Sequence, residues 1–278
     1  MKKSALYIIM LAIILSSCSG YQRLLKSNDN LAKFERAVEL HARGDYMRAA
    51  TLLESAMPYF RGTLKAEPIL FLLADCYFRN RNYQIAINYF TAYNANFPRG
   101  EHAMEARFMV GYSYYRMSPN PRLDQAATRN AIEAFQTFLE LFPHSERVSE
   151  ASRLQLEMFE KLAYKELLNA RLYFRLGNFQ GNNYRSAVIV AQNALTDFPF
   201  TQYREEFRIL ILRSKYQQAV KSIAARKEER FREAIDEYFV YASEFPTGKY
   251  IIEAERMLEN SRKNIERILE NSRRNITN

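Results

Sequence analysis

The stretch YQIAINYFTAYNANFP, residues 83–98, carries Tyr83, Ala86, Ile87, Phe90, Tyr93, Phe97 and Pro98 at offsets of 0, 3, 4, 7, 10, 14 and 15. The offsets up to fourteen return to one side of a helix with 3.6 residues per turn, so the apolar residues form a single buried stripe. Proline then disfavours helical geometry in the residue before it and stops the helix at Phe97. The same pattern recurs as Ala131, Ile132, Phe135, Phe138, Phe142, Pro143, as Tyr184, Ala187, Val188, Ala191, Ala194, Phe198, Pro199, and as Phe231, Ala234, Ile235, Tyr238, Tyr241, Phe245, Pro246. A degenerate first copy has Tyr46, Ala49, Ala50, Leu53, Ala56 and Phe60, with Arg61 in place of proline.

Each stripe has a partner helix upstream. Gly44-Asp45, Asn80-Arg81-Asn82 and Gly177-Asn178 supply turn residues just before the pattern begins. Phe34, Phe71 and Phe108 are 37 residues apart, as are Ala37, Ala74 and Gly111, while Leu40, Tyr77 and Tyr114 continue the register. A small residue lets one helix approach the next, and the large one three positions later fills the seam. The repeating unit is therefore a helical hairpin. Met117 to Gln125 is expected to lengthen the third hairpin, Gln180 to Asn183 the fourth, and the basic stretch Lys221 to Arg230 the fifth.

Small, aromatic, small, aromatic and proline at these spacings resemble the tetratricopeptide repeat. The resemblance implies an all-α, tetratricopeptide-like superhelix of about five hairpins with a C-terminal capping helix, the first helix of each pair facing a groove. Projected onto that arrangement, Phe34, Phe71, Phe78, Arg79, Phe108, Tyr112, Tyr115 and Arg116 lie on or near the groove. Aromatics flanked by arginine suit an extended peptide ending in an aromatic side chain and a carboxylate.

The N-terminus reads separately. Lys2 and Lys3 precede an apolar run from Ala5 to Leu15, long enough for an export signal and short for a membrane span. Leu15-Ser16-Ser17-Cys18 resembles the cleavage site of a bacterial lipoprotein, which implies a lipidated Cys18 at the mature N-terminus. The remaining cysteine, Cys76, sits among Leu72, Leu73, Ala74 and Tyr77 and reads as a small buried hydrophobe. The net charge of +9 points, in an exported protein, to acidic lipid or an acidic partner rather than nucleic acid.

The whole chain resembles the BamD lipoproteins of the outer-membrane β-barrel assembly machinery. The resemblance rests on Cys18, a short linker, five hairpins, and the stretches Phe97-Pro98-Arg99-Gly100, Met109-Val110-Gly111-Tyr112-Ser113-Tyr114-Tyr115 and Phe142-Pro143-His144-Ser145. It continues through paired helices between Ala151 and Leu176. It implies a non-enzymatic assembly factor on the periplasmic face of the outer membrane. The partners it implies are the periplasmic domains of BamA and unfolded β-barrel precursors. The expected organisation is a signal peptide at 1–17, a lipidated linker at 18–30, N-terminal repeats with the substrate groove at 31–143, a middle repeat at 144–200, and a partner-docking repeat with capping helix at 201–278.

Two basic clusters lie in that last segment, Arg226, Lys227 and Arg230, then Arg262, Lys263, Arg273 and Arg274. The second belongs to an eleven-residue repeat, Leu258 to Ile265 and Leu269 to Ile276, close to three helical turns, so both copies present one face. Leu258, Ile265, Leu269 and Ile276 are its candidate apolar stripe. The helix either caps the array or docks to an acidic partner or anionic lipid. Catalysis has no support: His41, His102 and His144 fall in different hairpins, and no metal-ligand or phosphate-loop spacing occurs, so no cofactor or metal is expected. The alternative reading is a helical-repeat lipoprotein for glycan uptake, but such proteins stack sugars on Trp, and the chain has none.

Overall fold

The computed structural model describes residues 20–277; the signal segment and Cys18 lie outside them. The named helices pair as hairpins in chain order: α1 (Asn30–Ala42) with α2 (Tyr46–Ala56), α3 (Ala66–Arg79) with α4 (Tyr83–Asn96), α5 (Ala103–Met117) with α6 (Ala126–Leu141), α7 (Val148–Leu176) with α8 (Asn183–Asp197), and α9 (Arg204–Val220) with α10 (Ala224–Glu244). Helix α11 (Ile251–Thr277) closes the chain. No strand occurs among the described residues, and the fold is the all-α, tetratricopeptide-like array expected. Residues 20–26, within the expected linker, are helical, and Tyr21 donates to the Arg48 carbonyl at 3.3 Å.

Two compact units divide the chain. One takes the described residues up to Ser118 together with Ala126–Gln155. The other takes Pro119–Gln125 and the residues from Leu156 on. In the second, Leu167 and Ala170 of α7 pack with Val188, Ala191 and Leu195 of α8 and with Phe207 and Ile211 of α9.

The hairpin turns reuse one backbone solution. Gly44 and Arg81, 37 residues apart, both take positive φ, 82° and 63°, and the following N–H groups of Asp45 and Asn82 return to the Leu40 and Tyr77 carbonyls. The proline stops also work alike. The N–H groups of Phe97, Phe198 and Phe245 each close on the residue four back at 2.8 Å, with φ near −130° in all three. Where the first copy lacks that proline, α2 runs instead into a 3-10 turn, Met57–Phe60.

A carboxylate from the first helix of each later hairpin then ties down the turn after the second helix. Glu67 accepts from the Tyr93 hydroxyl at 2.5 Å and from the Glu101 N–H at 2.6 Å, while Tyr93 accepts from the His102 N–H at 3.0 Å. Glu205 and Tyr241 repeat the device, 2.7 Å apart, with the Tyr250 N–H on the Tyr241 oxygen at 3.2 Å. Glu105 does this through Arg147 at 2.8 Å, and Glu160 through Thr201 at 2.8 Å. Gly100 and Gly248 follow from it, because a Cβ at either would run into both the carboxylate and the tyrosine oxygen.

Two sequence expectations are corrected and one is made specific. The paired helices expected between Ala151 and Leu176 are one 29-residue helix, α7, which contains no glycine or proline to break it. The basic stretch Lys221 to Arg230 lengthens the fifth hairpin mostly as helix. Good helix formers from Ala224 onward and the i,i+3 and i,i+4 pairs Arg226–Glu229 (3.1 Å) and Arg232–Glu228 (2.7 Å) carry α10 two turns further back. In α11 the buried line is Ala254, Met257, Ser261 and Ile265, continued by half-buried Ile268, whereas Leu269 is exposed. Ala254 and Met257 pack on Ile209, Leu212 and Tyr241, and Ile265 on Ala219 and Phe231, so this face caps the fifth hairpin. The Ile276 side chain lies outside the description.

The seams are tight. Ala86 and Ala131 are fully buried. Replacing either with Leu overpacks the seam and lowers stability by about 1–3 kcal/mol in urea unfolding. Glu259→Ala, on the exposed face of α11, leaves the unfolding midpoint where it was. Equal midpoints for all three variants would mean the register is wrong.

Candidate functional site

The rings expected on the groove separate into two sets. Phe34, Phe71 and Phe108, at one register position, are each covered by a side chain from the segment that follows their own hairpin. Lys65 Nζ lies 5.6 Å from the Phe34 ring, His102 stacks on Phe71 at 4.3 Å, and the Arg147 guanidinium lies 4.5 Å from Phe108. Phe108 is 1% exposed, enclosed further by Phe135, Phe138 and Tyr112 at 5.6–5.8 Å. It is therefore a packing ring and not a ligand platform, which corrects its place in the groove.

The other set forms a continuous half-buried strip. Phe78 meets Tyr83 at 5.4 Å and Tyr112 at 5.6 Å, and Tyr112 lies parallel to Tyr115 at 5.8 Å and 9°. Offset rings at these separations attract one another.

The two arginines beside the strip differ. Each guanidinium covers the first ring of the preceding second helix, Arg79 over Tyr46 at 5.9 Å and Arg116 over Tyr83 at 5.3 Å. Arg79 also donates to Asp75 at 2.5 Å, which pushes its pKa further up, and Asp75 is shared with His41 Nε2 at 2.5 Å. That carboxylate already occupies Arg79. Arg116 is exposed and has no carboxylate partner among the described residues, so it is the open cation of this surface. Cys76, three residues before Arg79 on α3, is fully buried, and burial pushes its thiol up to about 12.

The C-terminal cations are partly neutralised along their own helices. Arg226 pairs with Glu229 at 3.1 Å and Lys263 with Glu259 at 2.6 Å, while Arg230 donates to Ser222 at 2.5 Å. Lys227 is half-buried; Arg262, Arg273 and Arg274 are exposed.

Sequence reasoning missed an apolar cleft in the second unit. Leu156, Phe159 and Phe200 are 58%, 38% and 94% exposed and, with Phe198 and Pro199, line a space of about 240 Å³. Exposed aromatics clustered in this way mark interaction surfaces. The signal was present: after the Phe-Pro stop the other copies carry Arg99, His144 and Thr247, and only the fourth carries an apolar residue, Phe200. Among the described residues no group of His, Cys, Asp or Glu is arranged to hold a metal, and no helix is long and apolar enough to cross a membrane.

Three curated proteins align over much of the chain. A protein assigned as an outer membrane protein assembly factor BamD in Aquifex aeolicus is 24% identical over 90% of this chain and 79% of its own length. The outer membrane protein assembly factor BamD of Caulobacter vibrioides is 22% identical over 91% and 79%, and that of Neisseria meningitidis serogroup B is 22% identical over 61% and 76%. Among solved structures, the TPR2AB-domain:pHSP90-complex of yeast Sti1 aligns with 84% of this chain and 98% of that one at 13% identity and a TM-score of 0.39. The family model YfiO, described as outer membrane lipoprotein, matches residues 26–206, more than half of the sequence. The chain belongs to this YfiO family of outer membrane lipoproteins, the BamD family that its repeats and N-terminal cysteine resemble.

Proposed function

We propose that the protein is a non-enzymatic outer membrane protein assembly factor, anchored through Cys18 and facing the periplasm. In this reading it presents two separate surfaces. The first unit receives a segment of an unfolded β-barrel precursor on the strip Phe78, Tyr112 and Tyr115, with Arg116 pairing a carboxylate. The second unit docks the periplasmic domains of a BamA partner at the cleft of Leu156, Phe159 and Phe200. The C-terminal cations of the same unit, Arg262 foremost, speed the approach of an acidic surface while apolar contact at the cleft supplies most of the affinity. The observation that carries the reading is the pairing of half-buried aromatic rings with an arginine that has no carboxylate partner among the described residues, in a chain whose curated relatives are assembly factors.

Two single changes on exposed side chains test it together. Arg116→Glu replaces attraction by repulsion and should weaken binding of a barrel-derived C-terminal peptide by about tenfold, while capture of the BamA periplasmic domains is unchanged. Phe200→Asp should do the reverse. Both variants should unfold within about 0.5 kcal/mol of the parent, because neither side chain is buried. Full peptide affinity in folded Arg116→Glu would remove the groove assignment, and full BamA capture by folded Phe200→Asp would remove the docking assignment.

A further inference from the structure

A second cleft in the C-terminal unit has a different chemistry. Lys165, Leu168, Asn169, Leu172 and Arg175 follow one another at helical spacing and lie on one face of α7. The segment Pro119–Gln125, which belongs to the same compact unit, overhangs this face, and Pro121 and Arg122 complete a space of about 330 Å³. The overhang is held in place. The fully buried Gln125 side chain donates to the Asn120 and Leu123 carbonyls at 2.9 and 3.1 Å, and Lys165 Nζ donates to the Leu123 carbonyl at 2.8 Å.

Three cations line the cleft and no carboxylate does. Arg122 is exposed, and its guanidinium meets no carboxylate among the described residues. Arg175 uses only Nε, in a 3.4 Å contact with the Arg171 carbonyl, so its two terminal nitrogens remain open. Lys165 keeps two N–H bonds beyond the one given to Leu123. The nearest acids are otherwise placed: Glu166 accepts from the Asn169 amide at 3.2 Å, and Asp124 lies on the overhang outside the lining. Like charges gathered without a counter-charge repel one another, and the arrangement is favourable when an anion sits between them. Two guanidinium forks and an ammonium suit a phosphate, which accepts bidentate hydrogen bonds from Arg and a point contact from Lys. Leu168 and Leu172 stand beside the cations, Leu172 being 53% exposed, and provide an apolar bed next to the charged centre.

We propose that this cleft binds the phosphate head group of an anionic phospholipid, held by Arg122, Lys165 and Arg175, with the glycerol and upper acyl chain lying along Leu168 and Leu172. A charged head with an apolar continuation matches the lining better than free phosphate does, and a lipoprotein of the outer membrane works beside such lipids. The cleft shares no lining residue with the aromatic strip or with the Phe200 cleft.

Isothermal titration of the detergent-solubilised full-length lipoprotein tests it. The ligands are dihexanoylphosphatidylglycerol, dihexanoylphosphatidylcholine, inorganic phosphate and a short peptide with a free C-terminal carboxylate. The anionic lipid should bind at least about tenfold more tightly than each of the others. Arg122→Ala with Arg175→Ala should cost at least about tenfold for that lipid, with the helical circular dichroism unchanged, since both side chains are exposed. Arg256→Ala, an exposed cation on α11 outside both basic clusters, should leave it unaltered. Phosphate or the peptide binding as tightly as phosphatidylglycerol would overturn the proposal. So would full lipid affinity in the folded double variant, or equal loss in Arg256→Ala.

Discussion

Phe108→Ala should lower the stability of the protein by about 3–5 kcal/mol, the usual cost of removing a buried aromatic ring. The ring is 1% exposed, with Phe135, Phe138 and Tyr112 around it and the Arg147 guanidinium over one face. Truncation opens a cavity whose walls belong to two helices of one hairpin. It also removes the ring that seats Arg147, whose ion pairs with Glu105 at 2.8 Å and Glu150 at 3.0 Å fix the start of α7. Phe78→Ala, at a half-buried ring, should cost less and should act on peptide binding. Chemical unfolding of the two variants beside a peptide titration separates the roles. A Phe108→Ala protein of parental stability that had lost only peptide binding would restore Phe108 to the groove.

The second large effect is alkaline. Burial pushes the hydroxyls of Tyr93, Tyr241, Tyr77 and Tyr89 above their ordinary value of 10.0, and hydrogen bonds to Glu67, Glu205 and Glu54 push further in the same direction. Tyr89 reaches about 12, and the other three lie higher. The folded state therefore holds four protons that the unfolded chain releases near pH 10. Below pH 10 both states are protonated and the contribution is intact. As the pH rises above 10 the unfolded state alone ionises, and stability falls. Unfolding free energy measured from pH 8 to 11.5 should be flat to about pH 10 and then decline. Tyr93→Phe and Tyr241→Phe should each cost about 1 kcal/mol at neutral pH, from the lost hydrogen bond to a carboxylate, and the double variant should show a shallower alkaline decline. An alkaline slope unchanged by the double variant would mean these phenols do not carry it.

Local periodicity and chain punctuation are properties of neighbouring residues, and they were legible without coordinates. The offsets of Tyr83, Ala86, Phe90 and Tyr93 return to one side of a helix whatever packs against it, and Pro98 ends that helix through its own ring. Hence the hairpins, their turns at Gly44 and Arg81, and the burial of Ala86, Ala131 and Cys76 could be read directly. Helix continuity was harder. Between Val148 and Leu176 the sequence contains no breaker, and the charged run after Ala224 is rich in helix formers, so propensity carried both helices through stretches that repeat counting had divided.

What only the tertiary structure decided was which faces stay open. Phe34, Phe71 and Phe108 are equivalent by spacing, yet only Phe108 is closed off: Arg147 folds back over it from 39 residues later and Phe135 and Phe138 enclose it, while Phe34 and Phe71 stay half-buried. Arg79 and Arg116 are likewise equivalent by spacing, and Asp75, one turn before Arg79, makes them different. The cleft between Arg122 and Arg175 has no sequence signature at all, because its two walls are more than forty residues apart and meet only where Gln125 and Lys165 hold the overhang against α7. Helical spacing specifies which side chains share a face. What then covers that face is set by packing between distant segments, and that is where the open and closed surfaces of this protein were chosen.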